Sequence, residues 1–407
     1  MLASLRRALL GLALAAPAIA CAEGAPPPKP DAGLRPEPAP RPDAGFAPVR
    51  TSSQATADDQ ARLLAGLPGT VGSPLAPLEQ GAAFQKHVAD LNASWAKLSE
   101  NRLLKMGAWA KAEITPRIDP KRPLVYLFGG PDAITTDVVY PDAPIYVLAG
   151  LEQLGGVPPL ERMTPAELER GLSALRTSLR STVDLSFFIT SAMSKELGRT
   201  EIRGVLPVIY LFLVRNGATI QRAERIYLDP AGNVQPTPPA APKDGAPKNG
   251  VPGWHIEFTR QSGSKHELYY FRQDLTNEAL PSKPGLFPFL ERLGTVNSFL
   301  KAASFILHDK RFSVTRKYLL EHSASILQDD SGIPFKFLNT PAFRLVYFGK
   351  YTPSRKVFKD HFQEDMKKAF DNAQTLELPF STGYKHVEGS NLLLALTSTA
   401  TAGSGRR

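Results

Sequence analysis

The stretch 121–152 carries the residues best suited by type and spacing to bind a ligand. It contains an apolar strand-like run, the pair Gly129-Gly130, a helix start at Asp132, a second apolar run and then Glu152. A strand that enters a glycine turn and a helix N-terminus directs free N–H groups at one spot. An acid at the end of the next strand is where dinucleotide- and methyl-donor-binding sheets place a ribose-binding carboxylate. The pattern predicts a small-molecule site at Gly129, Gly130, Asp132 and Glu152.

A structural interpretation of the same residues stays open. The full G-x-G-x-x-G pattern is missing, and Asp132 would repel a phosphate placed at the same helix end. A methyl donor presents a carboxylate and an amine to its site instead of a phosphate, so Asp132 would repel it less. In the alternative, the glycines only form the turn, Asp132 caps the helix and Glu152 closes a loop.

A second candidate site is the adjacent pair Asp329 and Asp330 in the segment 328–334, QDDSGIP. Two neighbouring carboxylates could bind a cation, or one could act as a general base. Asp-Ser-Gly between two apolar runs is also typical of a hairpin turn. The alternating ligand ladder and distal glutamate of a calcium loop are absent.

The histidines do not form a metal-binding pattern. His361 and Glu364 lie one helical turn apart, but no H-E-x-x-H sequence occurs and Cys21 is the only cysteine. A P-loop and a G-x-S-x-G nucleophile elbow are also missing. We therefore expect no metal and no cofactor, and we assign no catalytic residue.

The elements that must position these residues predict an α/β or α+β fold. The runs 124–128 and 145–149 would form a Rossmann-like β-α-β start within a mixed sheet, with helices packed around it. The segment 79–99 predicts a helix, because five apolar residues recur at steps of three and four: Phe84, Val88, Leu91, Trp95 and Leu98.

Further elements follow from the same patterns. The all-apolar run 205–214 predicts a strand buried on both faces. The other predicted strands are 219–229, 254–260, 266–271, 325–328 and 343–349. The other predicted helices are 100–113, one from a capping box at Thr164, 184–197, 284–309, 312–322 and 354–371.

The N-terminus predicts export. Arg6 and Arg7 precede a short apolar run that is too short to span a membrane, so residues 1–20 fit a signal peptide. Cys21 follows Ala20 directly and cannot join an intramolecular disulfide, which favours a bacterial lipoprotein signal with palmitate-type acylation of Cys21. The residue after it, Ala22, resembles the outer-membrane default of lipoprotein sorting. Cleavage without lipidation, giving a secreted or periplasmic protein, is the alternative.

Composition divides the remaining chain into a tether and a body. Residues 21–55 are predicted to be a disordered tether, since nine prolines occur within 22–50. Residues 56–397 are predicted to form a single globular domain with a disordered proline-rich loop at 234–253, and 398–407 a disordered tail. Losing Arg6 and Arg7 with the signal lowers the formal charge from +9 to +7. Export makes nucleic acid an unexpected partner for this dispersed charge.

Four blocks of the sequence resemble a family of uncharacterised bacterial exported proteins. They are FGGPDAITTDVVYPDAPIYVLAGLEQLG (128–155), SFLKAASFILHDKRFSVTRKYLLEHSASILQDDSGIPFKF (298–337), YFGKYTPSRKVF (347–358) and LPFSTGYKHVEGSNLLLAL (378–396). The chain has Gln153 where the family pattern has proline, and 234–253 resembles an insertion. The resemblance implies one domain spanning the blocks and carries no activity or site residue.

The sequence therefore predicts a lipid-anchored envelope protein at the outer membrane, facing the periplasm. Its expected partners are the membrane, through the lipid, and a small molecule or envelope component. Catalysis is not expected, because no acid–base pair is evident. The alternative is an enzyme on a Rossmann-like sheet, either transferase- or methyltransferase-like or a degenerate relative of one.

Overall fold

A ten-stranded mixed sheet lies at the centre of this protein, in a computed structural model that describes residues 54–185, 196–238, 246–353, 356–385 and 389–398. The predicted signal peptide, Cys21 and nearly all of the predicted tether and tail lie outside the described residues. Most of the predicted helix at 184–197 also lies outside them.

Five parallel strands form the middle of the sheet, and antiparallel strands complete both sides. The strand order is β4-β3-β5-β6-β2-β1-β7-β8-β10-β9, in which β6, β2, β1, β7 and β8 run parallel. The strands are β1 Leu124–Tyr126, β2 Ile145–Gly150, β3 Thr219–Leu228, β4 Val234–Pro236, β5 Val251–Thr259, β6 Lys265–Arg272, β7 Val296–Leu300, β8 Ser323–Gln328, β9 Phe343–Gly349 and β10 Asn391–Thr397.

Helices cover both faces of this sheet. The α-helices are α1 Ala57–Leu64, α2 Ala76–Glu79, α3 Ala82–Leu98, α4 Leu104–Trp109, α5 Ala133–Val139, α6 Pro165–Leu185, α7 Leu206–Arg215, α8 Leu286–Arg292, α9 Ser313–His322, α10 Phe335–Leu338 and α11 Glu364–Asn372. The mixed α/β fold with helices around the sheet confirms the predicted fold class. Among the described residues, none of these helices is both long and apolar enough to cross a membrane.

The β-α-β start is confirmed as a parallel unit. Leu124 of β1 pairs with Tyr146 of β2, and α5 connects the two strands. Successive residues of β1 point into two separate cores, with Leu124 and Tyr126 on one side and Val125 on the other. Both faces of β1 and β2 are therefore buried, which explains why these two strands are apolar without alternation.

The connections define a switch point between β1 and β7. The chain leaves β1 towards β2 on one side, whereas it leaves β7 towards β8 on the other. Ile134 of α5 lies in one core and Leu319 of α9 in the opposite core. Right-handed crossovers that leave in opposite directions must use opposite faces. The crevice at such a point, outside the carboxyl ends of the strands, is where open α/β sheets bind ligands.

The prediction of a strand at 205–214 is wrong. This run is α7, and every residue from Leu206 to Val214 is buried. A helix buried on all sides is apolar all round, so its sequence lacks the helical period that marks a surface helix. Pro207 is tolerated because it lies in the first turn, where its missing N–H has no helical acceptor.

Two other predicted helices do not have the predicted bounds. The predicted helix 284–309 contains α8 and then β7, a fully buried parallel strand of five residues. The predicted helix 354–371 is a 3₁₀ segment, Lys356–His361, followed by the separate helix α11. The closing strand β10 was not predicted, because its leucine-rich run is equally compatible with a buried helix.

The predicted disordered loop at 234–253 is ordered at both described ends. Val234–Pro236 forms β4 against β3, and β5 begins at Val251. Pro236 is tolerated there because β4 is an edge strand. The part at 239–245 lies outside the described residues.

Candidate functional site

The predicted site residues lie at one edge of the sheet, immediately after the parallel strands. Asp132 follows β1, Glu152 follows β2, and Asp329 and Asp330 follow β8. Lys301, which sequence reasoning did not select, follows β7. The sequence treated Asp132 and Asp329 as separate sites, but the fold places both beside Lys301.

The glycine turn after β1 has a steric reason for each of its glycines. A Cβ on Gly129 would collide with the ring of Tyr126. Gly130 has a φ of +56°, and a Cβ there would lie 2.8 Å from Oε1 of Glu152. The turn and Glu152 are thus in contact, as a common ligand site would require. The same geometry is equally consistent with the alternative, in which the glycines only form the turn.

Asp132 forms a buried ion pair with Lys301 at the switch point. Their Oδ2 and Nζ atoms are 2.6 Å apart, and both side chains are only 2% exposed. Lys301 Nζ also donates to Thr135 Oγ1 at 3.0 Å. Asp132 caps α5, accepting from the Thr135 backbone N–H at 3.3 Å. Burial with a full set of partners is the condition under which such a pair is tolerated.

Tyr126 also contacts the Asp132–Lys301 pair. Its hydroxyl donates to the Lys301 carbonyl at 3.2 Å and lies 3.4 Å from Asp132 Oδ2. Burial and the nearby Asp132 carboxylate raise the pKa of Tyr126 well above its usual value. The phenol is therefore a neutral donor, not a base.

In the described part of the chain, Asp132 and Lys301 occupy the switch point themselves. Asp132 and Lys301 are buried in contact with each other, so neither charge faces an open crevice. A cavity that borders Thr135 is lined mainly by apolar groups and has a volume of about 10 Å³. That volume suits about one water molecule, whereas ligand pockets occupy some 300–1,000 Å³.

Glu152 is likewise buried within the protein. It is 4% exposed and accepts a hydrogen bond of 2.8 Å from the Tyr270 hydroxyl. Its carboxylate also fills the space beside Gly150, where a Cβ would collide with it. Glu152 is therefore held against β6, where Tyr270 lies, and not displayed to solvent as a ribose-binding acid would be.

Asp329 anchors the loop that follows β7. Its Oδ2 accepts from the Ala302 N–H at 2.8 Å, and its Oδ1 accepts from the Ser331 N–H at 3.0 Å. Burial, together with the charge of Asp330, raises the pKa of Asp329 to about 6. The 328–334 segment forms a turn as predicted, but it leads into α10 instead of a hairpin.

Asp330 pairs with a second lysine that the sequence did not reveal. Lys385 Nζ lies 3.1 Å from Asp330 Oδ2 and donates to the Thr352 carbonyl at 2.6 Å. Both side chains are less than 10% exposed. Each adjacent aspartate thus has a distinct structural partner, and the pair does not face one common cation.

The loop after β7 has a strained backbone. Ala302, Ser304 and Phe305 all have positive φ values, of 52°, 52° and 57°. Such conformations are uncommon for residues other than glycine and persist only where surrounding contacts hold them. Here the Asp329 carboxylate accepts a hydrogen bond from the Ala302 N–H, and the Tyr384 hydroxyl lies 2.6 Å from Ser304 Oγ.

Two histidines, His308 and His361, lie in one aromatic cluster. His361 stacks on Phe305 at 4.7 Å, and His308 meets His361 edge-on at 5.5 Å. Burial, with a smaller effect from His361, lowers the pKa of His308 to about 3, so it stays neutral. Within the described ranges, no group of three or more His, Cys, Asp or Glu side chains is placed to hold a metal ion.

One sequence signal could have identified Lys301. It directly follows the short run VNSFL, and a lysine at the end of a buried strand needs a carboxylate partner. Assigning that run to a long helix concealed its place at the sheet edge. Lys385 has no comparable signal, because its partner is 55 positions away in the chain.

No protein-family model, curated protein or solved structure that was compared with this chain matches it.

Proposed function

We propose that this chain is a lipid-anchored protein of the bacterial cell envelope that binds a small molecule or an envelope partner without transforming it. The lipidated residue would be Cys21, and the proline-rich segment 21–55 would hold the body away from the membrane surface. The resemblance to exported bacterial proteins supports this address. Ala22 after the cysteine, which resembles the outer-membrane default of lipoprotein sorting, supports placement at the outer membrane facing the periplasm.

The buried ion pair at the switch point is the observation that favours binding over cofactor chemistry. Asp132 and Lys301 neutralise each other where a Rossmann-like enzyme would hold its cofactor. Removing a cofactor from such an enzyme would leave polar groups facing an open crevice. Here the same groups are 2% exposed, so the sheet acts as a scaffold.

A thermal-shift comparison on the full chain tests this proposal. We expect neither NAD nor S-adenosylmethionine to raise the melting temperature. We expect at least one compound of an unbiased metabolite panel to raise it. The variant Asp132→Asn and the matched control Asp142→Asn, on the surface, separate a real site from a surface effect. A shift with either cofactor that is lost in Asp132→Asn and kept in Asp142→Asn would refute the scaffold role.

Lipid attachment has its own test. Cells expressing the protein are fed labelled palmitate, and we expect label in the wild type and none in Cys21→Ser. Because Cys21 is the only cysteine, no other thiol of the chain can take the label. Equal labelling of both proteins would refute the lipid anchor and leave plain secretion as the address.

The strained loop beside Asp329 favours a second candidate, an enzyme of the transferase type. Strained backbone and carboxylates with raised pKa values cluster at functional sites. An Asp329 with a pKa of about 6 has the proton affinity of a general base near neutral pH. This candidate requires the Ala302–Phe305 loop to open, so it predicts binding of a methyl donor that weakens in Asp329→Asn.

A further inference from the structure

The carboxyl edge of the sheet has an open groove one strand pair away from the closed switch point. It lies at the ends of β2 and β6, where Gly150 pairs with Arg272, and its volume is about 660 Å³. Ligand pockets typically have volumes of roughly 300–1,000 Å³. The groove is therefore large enough for a small molecule, unlike the cavity beside Thr135.

The charged lining of this groove is mainly basic. Arg203, Arg225 and Arg272 line it together with a single acid, Glu201. Arg225 comes from β3 and Arg272 from β6, whereas Arg203 lies between α6 and α7. Three separate elements thus bring guanidinium groups to one groove. The sequence did not suggest this clustering, because its basic residues are dispersed along the chain.

Two of these arginines are oriented by contacts with neighbouring residues. Arg225 donates to the Gly155 carbonyl at 2.9 Å, and its guanidinium lies 5.2 Å from the centre of the Trp254 ring. Trp254 in turn donates to the Leu154 carbonyl at 3.0 Å. Arg272 donates from Nε to the Leu151 carbonyl at 3.3 Å. A guanidinium has five donors in a fixed fork, so one held edge orients the others.

A backbone bridge between Gly156 and Arg203 forms part of the groove lining. Gly156 and Arg203 exchange two backbone hydrogen bonds, of 2.8 and 3.3 Å. Gly155 has a φ of +54°, and a Cβ there would collide with the Arg203 carbonyl. Only glycine allows this approach, and it fixes the Arg203 backbone at the groove. The Arg203 side chain remains 49% exposed and lies 3.3 Å from Glu201.

We propose that this groove binds a small molecule with at least two oxyanion groups, phosphate or carboxylate. Arginine forks pair with both groups through two parallel hydrogen bonds, which makes them suited to polyanionic ligands. This inference rests on the proposed binding function and names its site and ligand chemistry. The ligand would contact Arg203 and Arg225, which both line the groove beside Gly155 and Gly156.

Calorimetric titration of the full chain tests the groove. The probes are inorganic pyrophosphate, citrate, and phosphatidylcholine vesicles with or without phosphatidic acid. We expect saturable binding of pyrophosphate or citrate, weakened roughly ten- to hundredfold in Arg203→Gln and in Arg225→Gln, because each loses a charge-assisted hydrogen-bonded pair. The relative affinity of the two probes identifies phosphate or carboxylate as the preferred group.

The matched control is Arg222→Gln, on the same strand as Arg225 but outside the groove lining, which removes the same charge. An equal loss in Arg222→Gln, no binding of either anion, or binding only to vesicles with phosphatidic acid would overturn the groove assignment. If an uncharged ligand from the metabolite panel binds while both anions fail, the groove is wrong and the binding function stands. The Arg203 side chain is exposed, so we expect Arg203→Gln to fold. This variant therefore tests the groove even if Arg225→Gln fails to fold.

Discussion

Removing the charge of Asp132 is the most direct test of the closed switch point. The variant Asp132→Asn keeps an N-cap side chain for α5, since asparagine caps helices as well as aspartate does. It leaves the Lys301 ammonium 2% exposed, with its hydrogen bond to Thr135 Oγ1 still in place. Breaking one side of a buried pair in this way costs about 3–5 kcal/mol of unfolding free energy.

The burial of both side chains is what makes this cost large, because water cannot solvate the Lys301 ammonium that is left behind. For a solvent-exposed pair the same substitution would cost only about 0–1 kcal/mol.

The assay is urea unfolding of four proteins: wild type, Asp132→Asn, Lys301→Met and the double variant. Methionine approximates the length of lysine without its charge, so the double variant removes both ions together. We expect it to recover at least about 2 kcal/mol relative to Asp132→Asn alone, because the two residues are in direct contact. A cost below about 1 kcal/mol with no coupling would mean that water reaches the pair. The switch point would then be open, and the cofactor hypothesis would regain its support.

Three further predictions concern the same edge of the sheet. Asp329 has a pKa raised to about 6, so it destabilises the fold as the pH rises from about 4 to 6, and Asp329→Asn should flatten this part of the pH–stability curve. An unchanged slope in urea unfolding across this range would contradict that. Ala302→Gly should stabilise the protein by up to about 1 kcal/mol, as the gain from relieving its positive φ exceeds the added chain entropy; thermal unfolding that shows a loss would count against strain. Gly130→Ala should cost about 1–3 kcal/mol, because its Cβ would meet Glu152 at a positive φ. Adding Glu152→Ala to Gly130→Ala should recover only the part of this free energy that comes from the clash with Glu152. Recovery of the whole cost would show that backbone strain contributes nothing.

The sequence predicted the local geometry of the turn after β1 well. The glycine pair, the cap at Asp132 and the parallel partner strand follow from short-range rules of sterics and helix capping. Contact between Gly130 and Glu152 followed from the β-α-β unit, which brings consecutive strand ends to one edge. These features depend on residues within about 30 positions of each other.

Burial misled the prediction at α7 and β7. Neither segment has an exposed face, so neither shows the alternation or helical period that reveals the element type. The decision between helix and strand was made by packing: β7 has hydrogen-bonding partners in β1 and β8, whereas α7 packs against α1 and α5. A sequence window contains no information about such neighbours.

By itself, the sequence determined a signal-like N-terminus ending at a single cysteine, a proline-rich segment and a mixed α/β body. Only the tertiary structure decided what happens at the sheet edge. Lys301 lies 169 positions from Asp132, so no local rule links them, yet strand order makes them neighbours. Charge compensation in a buried place is a property of three-dimensional proximity. For that reason the residues that suggested a cofactor site in the sequence became part of the protein's own core.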